Sequence, residues 1–368
     1  MSSGEHSVIL RRHRPRNANG AAWLVIAIGV LLSLAVGAKP LAASTIAWVT
    51  VGDAGNAADN TGYGAVDHDY RIMRFEWTNA QYVDYLNAID PDGTNPNSVY
   101  SSLMGSNAYG GIVNNGSTSG AYYSVRPDMA DKPVNLMTWF RAARVANWMN
   151  NGAHSYGSSD ASATAPQNVG AYTLGTATSG TAPAKNANAS FYIPSENEWY
   201  KAAYYMSGGT NAGYWDYATG SDIAPTPVTA SATGVGSAGS TGNYANYNHI
   251  AVWNGHAGNL TTVGTNGGSS AYGTFDQGGN VWEWNDLAGL AGTTKGRRGG
   301  NMDNTATYLQ SSFRVAFAPD SEGETDGFRL ASTLAAAVPE IDPAGLGSVA
   351  GLLIGAFGLL ERRRAKVA

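Results

Sequence analysis

Residues 275–286 read FDQGGNVWEWND. Three carboxylates, three amides, two adjacent glycines and two tryptophans fall within these twelve residues. Three readings suit that mixture: a metal site, a sugar-binding surface, or a tightly folded core loop. Adjacent glycines permit a sharply curved chain. A curved chain with carboxylates on it can serve a hard cation or a network of backbone N–H donors.

The rest of the sequence narrows the context. The chain has 368 residues, enough for one large domain or two ordinary ones. Charged residues are only 13%, with 47 glycines and 30 tyrosines and tryptophans. Such a chain has aromatics for a core and many polar turns, unlike a disordered one. Cysteine is absent, which removes disulfides, thiolate metal sites and thiol mechanisms.

Both ends read as sorting segments. Arg11, Arg12, Arg14 and Arg16 precede an apolar run over 21–38, followed by small residues at 42–44. That order predicts a signal peptide over 1–43, with a retained membrane anchor as the alternative. At the other end, Val338-Pro339-Glu340 precedes an apolar helical stretch over 345–360 and then Arg362, Arg363 and Arg364. The segment 338–364 resembles the PEP-CTERM sorting signals that bacterial exosortases process; an ordinary C-terminal anchor is the alternative. Either way the body is expected outside the bacterial cytoplasm, in the envelope, at the cell surface or in the extracellular matrix. The body carries 13 basic against 23 acidic side chains, a net charge of about −10. A nucleic-acid partner is not expected, because phosphate binding needs a basic face.

Three segments have helical patterning. Thr78 can cap a helix whose Tyr82, Tyr85, Leu86 and Ile89 share a face; Thr138 can cap one that Gly152 ends; Ser195 and Glu198 form a capping box. Residues 70–75 and 314–317 are strand candidates. The polar, low-complexity stretches 151–190 and 219–243 predict surface insertions.

Six phrases then occur in a fixed order. They are Glu76-Trp77-Thr78-Asn79; Pro133-Val134-Asn135 with Trp139; Ile193-Pro194-Ser195-Glu196 with Trp199; Gly279-Asn280-Val281-Trp282-Glu283-Trp284; Arg298-Gly299-Gly300; and Gly327-Phe328-Arg329. Over about residues 48–331 the chain resembles the formylglycine-generating enzyme, or sulfatase-modifying factor, family. The resemblance implies an α+β fold: one irregular domain over 44–335, a C-type lectin-like variant with short strands, few helices and long loops.

The family's enzymes oxidise a sulfatase cysteine with copper held by two cysteines. Here the matching positions are Asn304 and Leu309, and Asn301 stands where the family has its active-site serine. Cu(I) needs soft sulfur donors, so neither copper nor that oxidase activity is expected. The 275–286 loop resembles a family calcium loop. Carried over, Asp276 and Glu283 supply side-chain oxygens, and Gly279 and Val281 backbone oxygens, with structural calcium as the implied cofactor.

His68, His249 and His256 lack chelating spacing, and no GxSxG elbow or P-loop is present. Arg298 and Arg329 are expected to anchor turns to buried carboxylates. The expected function is a non-catalytic, exported ligand-binding module for polysaccharide or peptide, with a cleft built from Trp215, Asp216, Tyr217, Asn301, Asn304 and Arg314. A structural component of the envelope or matrix, or a non-haem metal enzyme on the same scaffold, is the alternative.

Overall fold

The structure, a computed structural model, describes residues 46–116, 121–153 and 165–336. The segments 1–43 and 338–364, expected to direct export and sorting, lie outside the described residues, as does His154. Among the described residues no helix is long and apolar enough to cross a membrane.

Two four-stranded sheets carry the frame. The first is β1 (Trp48–Val51), β2 (Tyr70–Met73), β3 (Phe191–Tyr192) and a strand near the end of the domain, β8 (Ala331–Thr333), in the order β1-β2-β8-β3, all antiparallel. The second contains β4 (Trp282–Asn285), β5 (Lys295–Arg298), β6 (Val315–Phe317) and β7 (Asp326–Gly327) in the order β6-β5-β4-β7, with β7 parallel to β4. Three two-stranded ribbons complete the strands described. All the strands are short, and long loops connect them.

The three predicted longer helices are present. In α1 (Asn79–Ile89) Thr78 accepts from the Gln81 N–H and Gln81 returns a bond to the Thr78 N–H, so two orphan donors are satisfied at once. In α2 (Trp139–Asn150) Thr138 caps the Arg141 N–H, and Asn151 rather than Gly152 is the C-cap. Its residues Trp139 to Met149 are all buried. In α3 (Glu196–Tyr204) Ser195 and Glu198 form the expected capping box, and the helix ends two residues before Met206 because Tyr205 is extended.

One expectation is corrected. Of the stretch 151–190, the described part is not a surface insertion: Ala171, Tyr172 and Ala182 are fully buried in the main core. Asn168 and the carbonyls of Gln167, Gly175 and Ala177 receive the buried Arg144 guanidinium. A low-complexity composition hid this, because small polar residues bring their backbone carbonyls to a buried cation. By contrast 219–243 is largely exposed, with Val228 as its anchor.

Candidate functional site

The 275–286 loop leads into β4, and its central turn depends on backbone geometry. Asp276 and Asn280 have φ of 60° and 61°, and Gly279 has φ of 91°. A Cβ on Gly279 would lie 2.3 Å from the Asn246 carbonyl oxygen, so only glycine fits. Asn280 ties the turn down: its N–H donates to the Asn246 carbonyl (2.8 Å), its Oδ1 accepts from the Asn246 amide (3.0 Å) and the Thr261 N–H (3.0 Å), and its Nδ2 donates to Glu76 (3.2 Å). Trp284 is fully buried beneath the loop, with Nε1 on the Met137 carbonyl at 2.8 Å.

The carboxylates of the loop are engaged from within. Glu283 pairs with Arg329 through two bonds of 2.6 Å and accepts from Trp199 Nε1 at 2.7 Å; both charged partners are fully buried. Arg329 also donates to the carbonyls of Met73, Arg74 and Phe275. Asp276 accepts from the Gly264 N–H (2.5 Å) and the Asn266 amide (2.9 Å). Burial pushes its carboxyl above the usual range, against those hydrogen bonds and the Arg329 charge.

Glu76, contributed by the segment before α1, is fully buried too, and its Oε2 has no hydrogen-bond partner. Its carboxyl is raised well above the ordinary value by burial and then by the neighbouring Asp276 charge. Two fully buried carboxylates, Glu76 and Glu283, and the half-buried Asp276 thus face one guanidinium.

A second ionic knot flanks β5. Glu196 accepts from Arg298 Nε (2.9 Å) and, on both oxygens, from Arg314 Nε and Nη2 (2.7 and 2.9 Å). Arg298 stands as predicted, on a buried carboxylate. Arg314, predicted for the ligand cleft, is instead committed to Glu196 and sits 5.4 Å from the Tyr63 ring centre.

The other predicted cleft residues divide. The Asp216 carbonyl accepts from the Ser311 N–H, bringing 215–217 beside 308–311. Asp216 is exposed and Trp215 partly so. Tyr217 is not a groove surface: it is buried with Ala245, Tyr247 and Leu309. Leu309 is a core residue of that cluster. Asn301 is buried, donating to Thr325 Oγ1 at 2.5 Å, and its N–H donates to Asn304 Oδ1 at 3.0 Å. The two positions where the family holds copper therefore carry a turn-locked amide and a packed isobutyl group. Neither is a soft donor, so this donor set does not fit Cu(I).

What the sequence reading missed is aromatic. Tyr308 packs on Phe313 at 4.5 Å between ring centres, and both meet Trp282, at 6.2 and 6.0 Å. Tyr308 is 37% exposed. The Trp282 N–H donates to the carbonyl of Thr325, the residue that binds Asn301, so the cluster lies beside the Asn301–Asn304 turn. Its signal in the sequence was Tyr308, three residues from a turn rich in Asn and Thr.

The fold and this site together define an irregular α+β domain of the formylglycine-generating type, in a chain that has no cysteine. The chain belongs to the family of the sulfatase-modifying factor enzyme 1-like domain, whose profile matches residues 48–334. No curated protein matches it. Among solved structures it is similar to Treponema denticola variable protein 1 (18% identity, 80% of this chain and 100% of that one, TM-score 0.44). It is also similar to CarF (19%, 79% and 99%, 0.42) and to PvdO from Pseudomonas aeruginosa (15%, 81% and 100%, 0.37).

Proposed function

We propose that this chain is an exported, non-catalytic ligand-binding domain, taking an extracellular polysaccharide or peptide on the face formed by Tyr308 and Phe313, which rest on the buried Trp282. The observation that carries the reading is an aromatic cluster with Tyr308 exposed, Phe313 half-buried and Trp282 buried beneath them, beside a family corner that holds Asn304 and Leu309. Aromatic faces stack on sugar C–H surfaces or peptide side chains, and neighbouring amides satisfy hydroxyls. Export through the N-terminal segment, and sorting of the C-terminal one by an exosortase-type enzyme, belong to the same proposal. Both terminal apolar segments would meet the membrane before processing.

A glycan and peptide array probed with the full chain tests it. A double substitution, Tyr308→Ala with Phe313→Ala, is expected to weaken the bound ligand at least tenfold, about 1.4 kcal/mol. Wild-type protein that binds nothing on the array, or that turns a sulfatase-derived thiol peptide into an aldehyde, would overturn it.

We infer further that the 275–286 loop takes a structural calcium. When all three are ionised, Glu76, Asp276 and Glu283 outnumber the single Arg329 guanidinium by two charges; burial pushes the Glu76 and Asp276 carboxyls towards the protonated form, and one divalent cation would favour their ionised form instead. The Asp276 and Glu283 carboxylates, with the backbone oxygens of Gly279 and Val281, are the residues that would hold it, and ionised carboxylates keep lone pairs beyond those given to N–H donors. Among the described residues no three His, Asp or Glu side chains gather in a metal-holding arrangement, so backbone oxygens must complete the set. Calcium at a hundred times its Kd is expected to stabilise the fold by about 2.7 kcal/mol. Thermal melting in chelator and in millimolar calcium measures this, and coincident curves would reject the cation.

A further inference from the structure

A cavity of about 240 Å³ lies among Arg126, Asp128, Met129, Ala232, Trp253 and Asn254. Its floor is apolar and fixed. Met129 and Trp253 are buried in one cluster with Leu260, Val281 and Met302. The indole Nε1 donates to the Leu260 carbonyl at 2.8 Å, and the Lys132 ammonium lies 4.9 Å from the ring centre.

The rim is polar and has hydrogen-bonding capacity to spare. Arg126 Nη1 donates to the carbonyls of Asn107 (2.7 Å) and Gly110 (2.6 Å), which fixes the guanidinium in place. Among the described residues its Nε and Nη2 make no hydrogen bond, and neither do the side chains of Asp128 and Asn254. Asp128 and Asn254 both sit at left-handed backbone positions, with φ of 60° and 50°, at the tips of two turns. Nothing in the fold uses these three side chains as partners for one another.

We propose that this cavity binds a single uronate residue of an acidic polysaccharide. A pinned guanidinium with two free N–H groups matches a carboxylate through paired hydrogen bonds. Asp128 and Asn254 across the rim accept and donate to ring hydroxyls, and the pyranose C–H face rests on Trp253 and Met129. The volume falls below the roughly 300–1,000 Å³ of drug-sized sites, which favours one ring over a longer segment. The inference rests on the ligand-binding reading for the extracellular origin of the sugar, but not on the aromatic face at Tyr308.

The test is calorimetric titration of the full chain with oligogalacturonate, with neutral dextran oligomers and sulfated dextran as controls. Binding to oligogalacturonate alone is expected. Ala232→Trp fills the cavity from an exposed position without removing any hydrogen bond, and is expected to raise Kd at least tenfold with an unchanged Tm. Arg126→Lys, which keeps one charge, is expected to raise it by a similar factor. Tyr308→Ala is expected to leave uronate binding unchanged. If Tyr308→Ala abolishes uronate binding and Ala232→Trp does not, the cavity assignment fails while the ligand-binding reading survives. Absence of wild-type binding at millimolar oligogalacturonate, or equal binding of sulfated dextran, overturns the uronate assignment.

Discussion

Arg329→Met is expected to lower stability by about 4 kcal/mol, because it strands a buried carboxylate. In a domain of this size that is a fall in Tm of roughly 10 °C. The argument is geometric. Arg329 lies between β7 and β8 in the chain and bonds to strands of both sheets. It binds Glu283 on β4 with two hydrogen bonds, and the carbonyls of Met73 and Arg74 at the end of β2. Burial works against its charge, but Glu283, Glu76 and Asp276 together raise its affinity for the proton. Removing the cation leaves the buried Glu283 carboxylate with only the Trp199 N–H, beside the Glu76 and Asp276 carboxyls. Arg329→Lys restores a point charge but cannot reach Glu283 and three carbonyls together, so it is expected to recover less than half of the loss. The double variant Arg329→Met with Glu283→Leu should be more stable than Arg329→Met alone, since replacing both partners removes the uncompensated charge. Chemical denaturation of the four proteins measures these differences. A loss below about 1 kcal/mol for Arg329→Met would mean that the sheets are held by packing alone.

These same residues mark what could be read in advance. Arg329 and Arg298 were legible as anchors because a guanidinium suits bidentate pairing with a buried carboxylate. The capping signals at Thr78, Thr138 and Ser195 were legible because they are local, spanning three or four residues. Tyr217 and Leu309 were not legible. Their burial depends on a meeting of 217, 245, 247 and 309, segments far apart in sequence, and no local pattern encodes it. Arg314 failed for a related reason: its commitment to Glu196 spans 118 positions. The stretch 165–190 was misjudged because its packing uses backbone carbonyls and small side chains, which leave no apolar period. Glu76 belonged to a recognised phrase, yet nothing in that phrase told that its side chain would be carried into the 275–286 loop's charge cluster.

Glu76→Gln is expected to do the opposite of Arg329→Met. It keeps the oxygen that accepts from Asn280 and removes an ionisable group whose charged form burial and Asp276 disfavour. In chelator at pH 7 the variant should be more stable than the wild type by about 1–2 kcal/mol, the scale of an unsatisfied buried polar group. The pH dependence gives the sign an independent check. The Glu76 carboxyl is raised in the folded state, so folded protein holds its proton where the unfolded chain has lost it. Stability from this group is therefore present below about 4.5, its value in the unfolded chain, and is lost as pH climbs from there towards the folded value. The gain from Glu76→Gln should accordingly vanish near pH 4 and grow towards neutrality. Calcium separates the two ways of relieving the charge. If a cation balances the cluster, saturating calcium should stabilise the wild type more than the variant, and the advantage of the variant should shrink or reverse. If a proton does so, the advantage is the same with and without calcium. A Glu76→Gln protein destabilised by more than 1 kcal/mol in chelator at pH 7 would show that the Glu76 charge is compensated by the protein itself. The excess of carboxylates over Arg329 would then have no bearing on either the cation or the stability of the fold.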